Sequence, residues 1–204
     1  MRSNYESIIC DNLIDIYGNL PEALEEALPA VRVGNLFHFR AFGEDCILGP
    51  DEIILSWRPE TGPEGLLISL YAVNASPLPI QLEPFKSFKD LPSSMPYQGA
   101  FSVNSERILI PSVPLIRDSQ ETIMNLFNGE RTSSDLGGDF AFYLFPLPKI
   151  ALCYLFYLPD EEFPASVTCL NSSNAPSLMP LAGLADVGEY TSRRLLSLID
   201  KNTS

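Results

Sequence analysis

Histidine and tryptophan occur once each in this chain of 204 residues, and its four cysteines stand far apart at positions 10, 46, 153 and 169. No CxxC pair is present, so the spacing lacks both the paired ligands of a structural zinc site and the usual thiolate cage of an iron–sulfur cluster. The purified protein is therefore expected to be colourless. Cys153 and Cys169 lie in apolar runs and read as small buried hydrophobes. With His38 the sole imidazole, a serine or cysteine triad would have no other histidine as base. His38 alternates with Phe37 and Phe39, as an outward-facing strand residue does. GxSxG, Walker and GxGxxG loops are missing, and Gly137-Gly138 reads as a turn rather than a phosphate cradle.

Positive charge is scarce as well. Thirteen Lys and Arg face 26 Asp and Glu, a formal net charge of -13. Nucleic acid and anionic membranes need basic side chains to neutralise phosphate, so neither is expected as a partner. No apolar segment follows Arg2, because Asn4, Glu6 and Asp11 interrupt it, which implies a cytoplasmic location. The longest apolar window, Phe140 to Leu158, is cut by Pro146, Pro148 and Lys149 and fails as a membrane helix.

What the chain does have is a globular balance of 46% hydrophobic and 19% charged residues, enough for one domain over 1–204. Residues 1–57 form its N-terminal helical and meander part. Ile8, Ile9, Leu13, Ile16 and Tyr17 predict a helix over Tyr5 to Tyr17, capped by Ser3 or Asn4 and ended by Gly18-Asn19. Leu20-Pro21 opens a second, short helix. Leu36 to Phe42, Cys46 to Leu48 and Glu52 to Trp57 predict strands of a meander. Thr61 to Glu64 starts a helix whose apolar side is Leu66, Leu67, Leu70, Tyr71 and Val73, with a strand over Leu66 to Val73 as the alternative. Pro77 to Tyr97 is a proline-rich loop anchored by Phe85 and Phe88. Phe101 to Ile110 is read as extended, Val113 to Phe127 as a helix, and Gly129 to Gly138 as a polar, mobile loop. Ser166 to Leu170 alternates like a strand, Asn171 to Pro176 turns, and Leu181 to Ile199 closes the chain as a helix. The order, without regular βαβ alternation, predicts an α+β fold with a mainly antiparallel sheet and helices at the N-terminus, middle and C-terminus.

The densest feature is an aromatic hairpin, Phe140 to Phe145 and Ile150 to Leu158, interrupted by Pro146 to Lys149 and followed by Asp160, Glu161 and Glu162. Continuous apolar strands suit a sheet covered on both faces. Burying the triplet unpaired would cost far more than each buried aromatic contributes, so the acids belong on the surface. Asp139 and Asp135, from the other end of the hairpin, can join them. Asp139, Asp160, Glu161 and Glu162 are the candidate binding residues. Their oxygens suit Mg²⁺ or Ca²⁺ by type, while their spacing is not that of an EF-hand. The plainer alternative is a solvated turn that protects a sheet edge. No catalytic residue and no cofactor is assigned. Pro164 favours an extended Phe163, which is expected to turn inward as the first anchor of the next strand.

Five phrases occur in the order of a known family: Leu66 to Ala75 (LLISLYAVNA), Phe88 to Pro92, Gly138 to Phe142, Leu147 to Ile150, and Asp160-Glu161-Glu162-Phe163-Pro164. On these the chain resembles the domain-of-unknown-function family 3786 of anaerobic bacteria and archaea, over about Arg58 to Leu195, with a poorer likeness at the beginning. Where that family tends to carry tryptophan and a later aspartate, this chain has Phe156-Tyr157 and Asn171. Some members look like fusions to iron–sulfur modules. The resemblance thus implies a setting in anaerobic redox or one-carbon metabolism, with a small ligand or an iron–sulfur or redox protein as partner. The combined expectation is a non-enzymatic accessory module that binds through Asp139, Asp160, Glu161 and Glu162. Its alternative is an enzyme whose carboxylates hold a divalent cation.

Overall fold

The computed structural model describes residues 4–132 and 136–202, so Ser3 and Asp135 lie outside the described residues. The first helix, α1 (Asn4–Gly18), buries Ile9, Leu13 and Ile16 along one stripe. Ile8, expected on that stripe, is exposed. The second helix, α2 (Leu24–Ala27), starts later than its sequence suggested, because the Pro21 carbonyl accepts the Leu24 N–H and the proline sits in the lead-in turn.

An antiparallel meander follows, β1 (Val31–Val33), β2 (Leu36–Ala41), β3 (Glu44–Leu48), β4 (Ile53–Leu55) and β5 (Arg58–Pro59), paired in chain order. Its inner face is Phe37, Phe39, Ala41, Cys46, Leu48, Ile53 and Leu55. The outer strands β1 and β5 were not anticipated, since two or three residues are too short to show alternation. Next comes α3 (Pro63–Val73), with Pro63 in the first turn, where its missing N–H costs no hydrogen bond. The strand alternative for this segment is thereby overturned. Leu67, Ile68, Tyr71 and Ala72 are buried, and Val73 turns outward.

The proline-rich loop leads into β6 (Lys86–Ser87). Phe88 is buried as anticipated, and Phe85 is half-buried against Tyr143 at 5.9 Å. The expected extended segment at Phe101 to Ile110 is helical instead. The helix α4 (Met95–Phe101) runs into a π-helical stretch at Ser102–Glu106 and a 3₁₀ stretch at Arg107–Ser112, then into α5 (Val113–Leu126). Phe101, Ser105 and Leu109, spaced four apart, are the buried positions. Phe101 packs flat on Phe88 at 4.3 Å, and this packing outweighs the weak local preference of the segment.

The second sheet is antiparallel throughout, in the order β6, β10 (Ser166–Asn171), β9 (Ile150–Tyr157), β8 (Phe140–Leu147) and β7 (Glu130–Arg131). Gly129 to Gly138 is therefore partly strand, as β7 pairs Arg131 with Phe142. The central strand β9 is buried from Ile150 to Phe156, as its unbroken apolar run implies. Pro146 does not end β8. It sits in the register shift between Leu144 and Leu147, where a ladder hydrogen bond is not required. The bulge serves the tertiary structure, because the Pro146 carbonyl accepts the Phe42 N–H at 2.7 Å and Phe145 N–H donates to the Phe127 carbonyl. The closing helix is α6 (Leu181–Asn202). Buried residues of both sheets and of the helices join one hydrophobic cluster, and Cys46, Cys153 and Cys169 are buried free thiols. The fold is α+β with antiparallel sheets. Among the described residues no helix is long and apolar enough to cross a membrane.

Candidate functional site

The candidate residues gather at the open end of the β8–β9 hairpin. Gly137 and Gly138 both have positive φ, at 91° and 88°. At Gly138 a Cβ would lie 3.1 Å from the Phe156 carbonyl oxygen, so glycine is what lets the entering chain run tight against β9. Asp139 follows. Its N–H donates to the Phe156 carbonyl at 2.8 Å, and its Oδ2 accepts the Leu158 N–H at 2.6 Å. The Asp139 carboxylate thus extends the hairpin by one rung beyond its last backbone pair.

Asp160 works on the next turn. Its Oδ1 accepts two backbone N–H groups, from Glu162 at 2.8 Å and Phe163 at 2.7 Å, while its own N–H donates to the Phe163 carbonyl at 3.0 Å. This is the aspartate-capped turn that the residue type favours locally. Those two donors hold the Asp160 pKa below the ordinary aspartate value, since both favour the ionised form. Glu161 and Glu162 are exposed and project from the turn.

Phe163 is the correction. It was expected to turn inward, and it is 65% exposed. The hydrogen bonds of Asp160 close the chain into a surface turn before β10 begins at Ser166, so Phe163 never reaches the sheet. Tyr157, the last residue of β9, is exposed as well. The rim therefore combines carboxylates with two aromatic rings. Sequence reasoning missed Phe163 as a surface residue, although an aspartate three positions ahead of it was the available signal.

The four acids divide into two kinds. Asp139 and Asp160 already have a carboxylate oxygen committed to backbone donors, and Glu161 and Glu162 stand free of the turn they ride on. Among the described residues no group of three His, Cys, Asp or Glu is close enough to hold a metal ion. His38 faces outward from β2 between buried Phe37 and Phe39, as its alternation predicted, and belongs to the other sheet.

In comparison with known proteins, the family model described as Domain of unknown function (DUF3786) matches residues 9–194. The match begins inside α1, so the N-terminal helix and meander belong to it as much as the hairpin does. No curated protein and no solved structure matches the chain.

Proposed function

We propose that the chain, which belongs to the DUF3786 family, is a non-enzymatic accessory module that docks a protein partner on the acidic end of its aromatic hairpin. The observation that carries this reading is Phe163, a large apolar side chain held in solvent by a hydrogen-bonded turn and preceded directly by the exposed Glu161 and Glu162. A side chain that contributes little to the fold, fixed on a rigid turn, suits an anchor residue whose ordering cost is already met. The complementary surface is an apolar pocket rimmed by Lys or Arg. The family resemblance supplies the setting, anaerobic redox or one-carbon metabolism, and favours an iron–sulfur or redox protein as that partner.

The alternative, an enzyme whose carboxylates hold a divalent cation, draws less support from this geometry. Asp139 and Asp160 each commit one carboxylate oxygen to backbone N–H groups, and among the described residues the acids do not converge as a group of three around one point.

The test is purification of the tagged chain from cells grown without oxygen, side by side with Phe163→Ala and with Glu161→Gln/Glu162→Gln. One stoichiometric redox protein retained by the wild type, lost from the alanine variant and weakened in the glutamine variant and at high salt is the expected result. Equal retention by all three chains would sink the proposal.

A further inference from the structure

Independently of the acidic rim, the outer face of the N-terminal sheet holds two cavities of about 410 and 440 Å³, on residues shared along β2: His38, Phe39 and Arg40. Both volumes fall in the range of small-molecule sites. The first is bounded by Ile47 and Ile54 from β3 and β4 and by Trp57 from the turn between β4 and β5.

Trp57 is 80% exposed. Its backbone explains why it stays there. Ser56 and Trp57 are the two central residues of a tight hairpin turn, and both have positive φ, at 51° and 66°. Such a turn normally takes Asn-Gly, because side chains crowd the backbone in the left-handed region. The turn is pinned by the Ser56 N–H donating to the Asp45 carbonyl at 3.0 Å. The backbone thus presents a bulky apolar residue at a cavity wall in a conformation that its type disfavours, and such strain gathers at binding sites.

The polar side of the cavity is also prepared. Arg40 donates through Nη1 to Asp45 at 3.0 Å and through Nη2 to the Leu126 carbonyl at 3.0 Å, which fixes its guanidinium plane. Its Nε and the Nε2 of His38 are covered and have no hydrogen-bond partner among the described residues. Covered polar atoms without partners are costly, and both are closed to a probe as they stand, so a ligand reaches them when the His38 ring or the Arg40 side chain turns toward the cavity, and it then relieves that cost. The Arg40–Asp45 pair leaves the cavity close to neutral, and the net charge of -13 opposes multiply charged anions.

We propose that this cavity binds a planar heteroaromatic ligand, neutral or singly charged, with its ring against Trp57 over Ile47 and Ile54 and its hydrogen-bonding edge toward His38 and Arg40. A ring stacked on indole gains from both apolar contact and quadrupole alignment. The sole tryptophan and the sole histidine of the chain are the natural reporters. The full-length protein is titrated with adenine, nicotinamide and hypoxanthine as probes and cyclohexanol as a non-planar control, following the Trp57 indole N–H and His38 ring resonances. At least one ring probe is expected to shift both signals saturably, and cyclohexanol neither. Ile54→Arg should weaken that probe by about tenfold or more. Trp57→Gly, which relieves the left-handed strain and so keeps the fold, should do the same when read through His38. The proposal is overturned if no ring probe gives a saturable shift, if cyclohexanol matches the ring probes, or if Trp57→Gly binds as well as the wild type.

Discussion

Phe156 and Phe163 are the same side chain under opposite conditions. Phe156 is fully buried and stacks on Phe140 at 4.6 Å. Replacing it by alanine should lower stability by about 3–5 kcal/mol in chemical denaturation, through lost transfer energy and the cavity left behind. Phe163→Ala should change it by less than about 0.5 kcal/mol. Equal losses would mean that the rim turn is part of the core. Asp160 adds a pH signature. Its folded pKa is depressed, so the stabilisation it gives the turn is complete above the ordinary carboxylate pKa, near 3.9, and is lost as pH falls through the lower folded value. Amide exchange at Glu162 and Phe163 should therefore speed up, relative to other exposed amides, on acidification into that window and in Asp160→Ala at any pH. Lys149 is a buried counterpart whose pKa is lowered by burial, with Nζ donating to the Ser76 and Leu78 carbonyls at 2.6 and 3.1 Å. Lys149→Met leaves both carbonyls without that donor and should cost about 2 kcal/mol.

At the scale of elements, the helical run from α4 to α5 depends on a neighbour. A Cβ at Gly188 of α6 would lie 2.6 Å from the Phe101 ring and 2.7 Å from Ser105 Oγ, so the absence of a side chain there is what lets α6 approach the π-helical stretch. Alanine is the better helix former by about 1 kcal/mol, yet overpacking against a buried ring costs about 1–3 kcal/mol. Gly188→Ala is accordingly expected to lower the thermal midpoint. A rise would show that the run yields easily. The same logic explains why Phe101 to Ile110 reads as extended in the sequence yet is helical, for the local residues there are consistent with either state and the partner helix decides.

Over the whole molecule, the end of β2 ties the first sheet to the second. Phe42 at the end of β2 bonds to the bulge at Pro146, and Arg40 reaches the C-terminal end of α5 at Leu126. Gly43 fits beside Leu126 and Phe127, where a Cβ would come within 2.9 Å of the leucine side chain. Across this compact assembly a net charge of -13 repels itself. Raising salt from about 20 to about 200 mM at neutral pH should therefore raise the melting midpoint, because the screening length falls to that of neighbouring side chains. At matched ionic strength, millimolar Mg²⁺ or Ca²⁺ should add nothing further. A specifically bound cation at 100 times its dissociation constant would add about 2.7 kcal/mol, and such a gain would revive the metal-holding alternative.

The sequence left a strand as the alternative to α3, and by itself it determined the α+β class, the helices α1, α5 and α6, the meander strands β2 and β3, and the aromatic hairpin with its acidic end. Each of these is long enough for its hydrophobic period to show, and the surface position of Asp160 to Glu162 follows from the cost of burying charge. Tertiary structure decided the rest. The strands β1, β5, β6 and β7 are two or three residues long and exist because a longer strand lies beside them. Phe163 faces solvent because Asp160 closes the chain before it can enter the sheet, and Trp57 does so because a two-residue turn fixes its backbone. Hydrophobicity sets what burial would be worth, and only the packed neighbours determine whether a place inside exists.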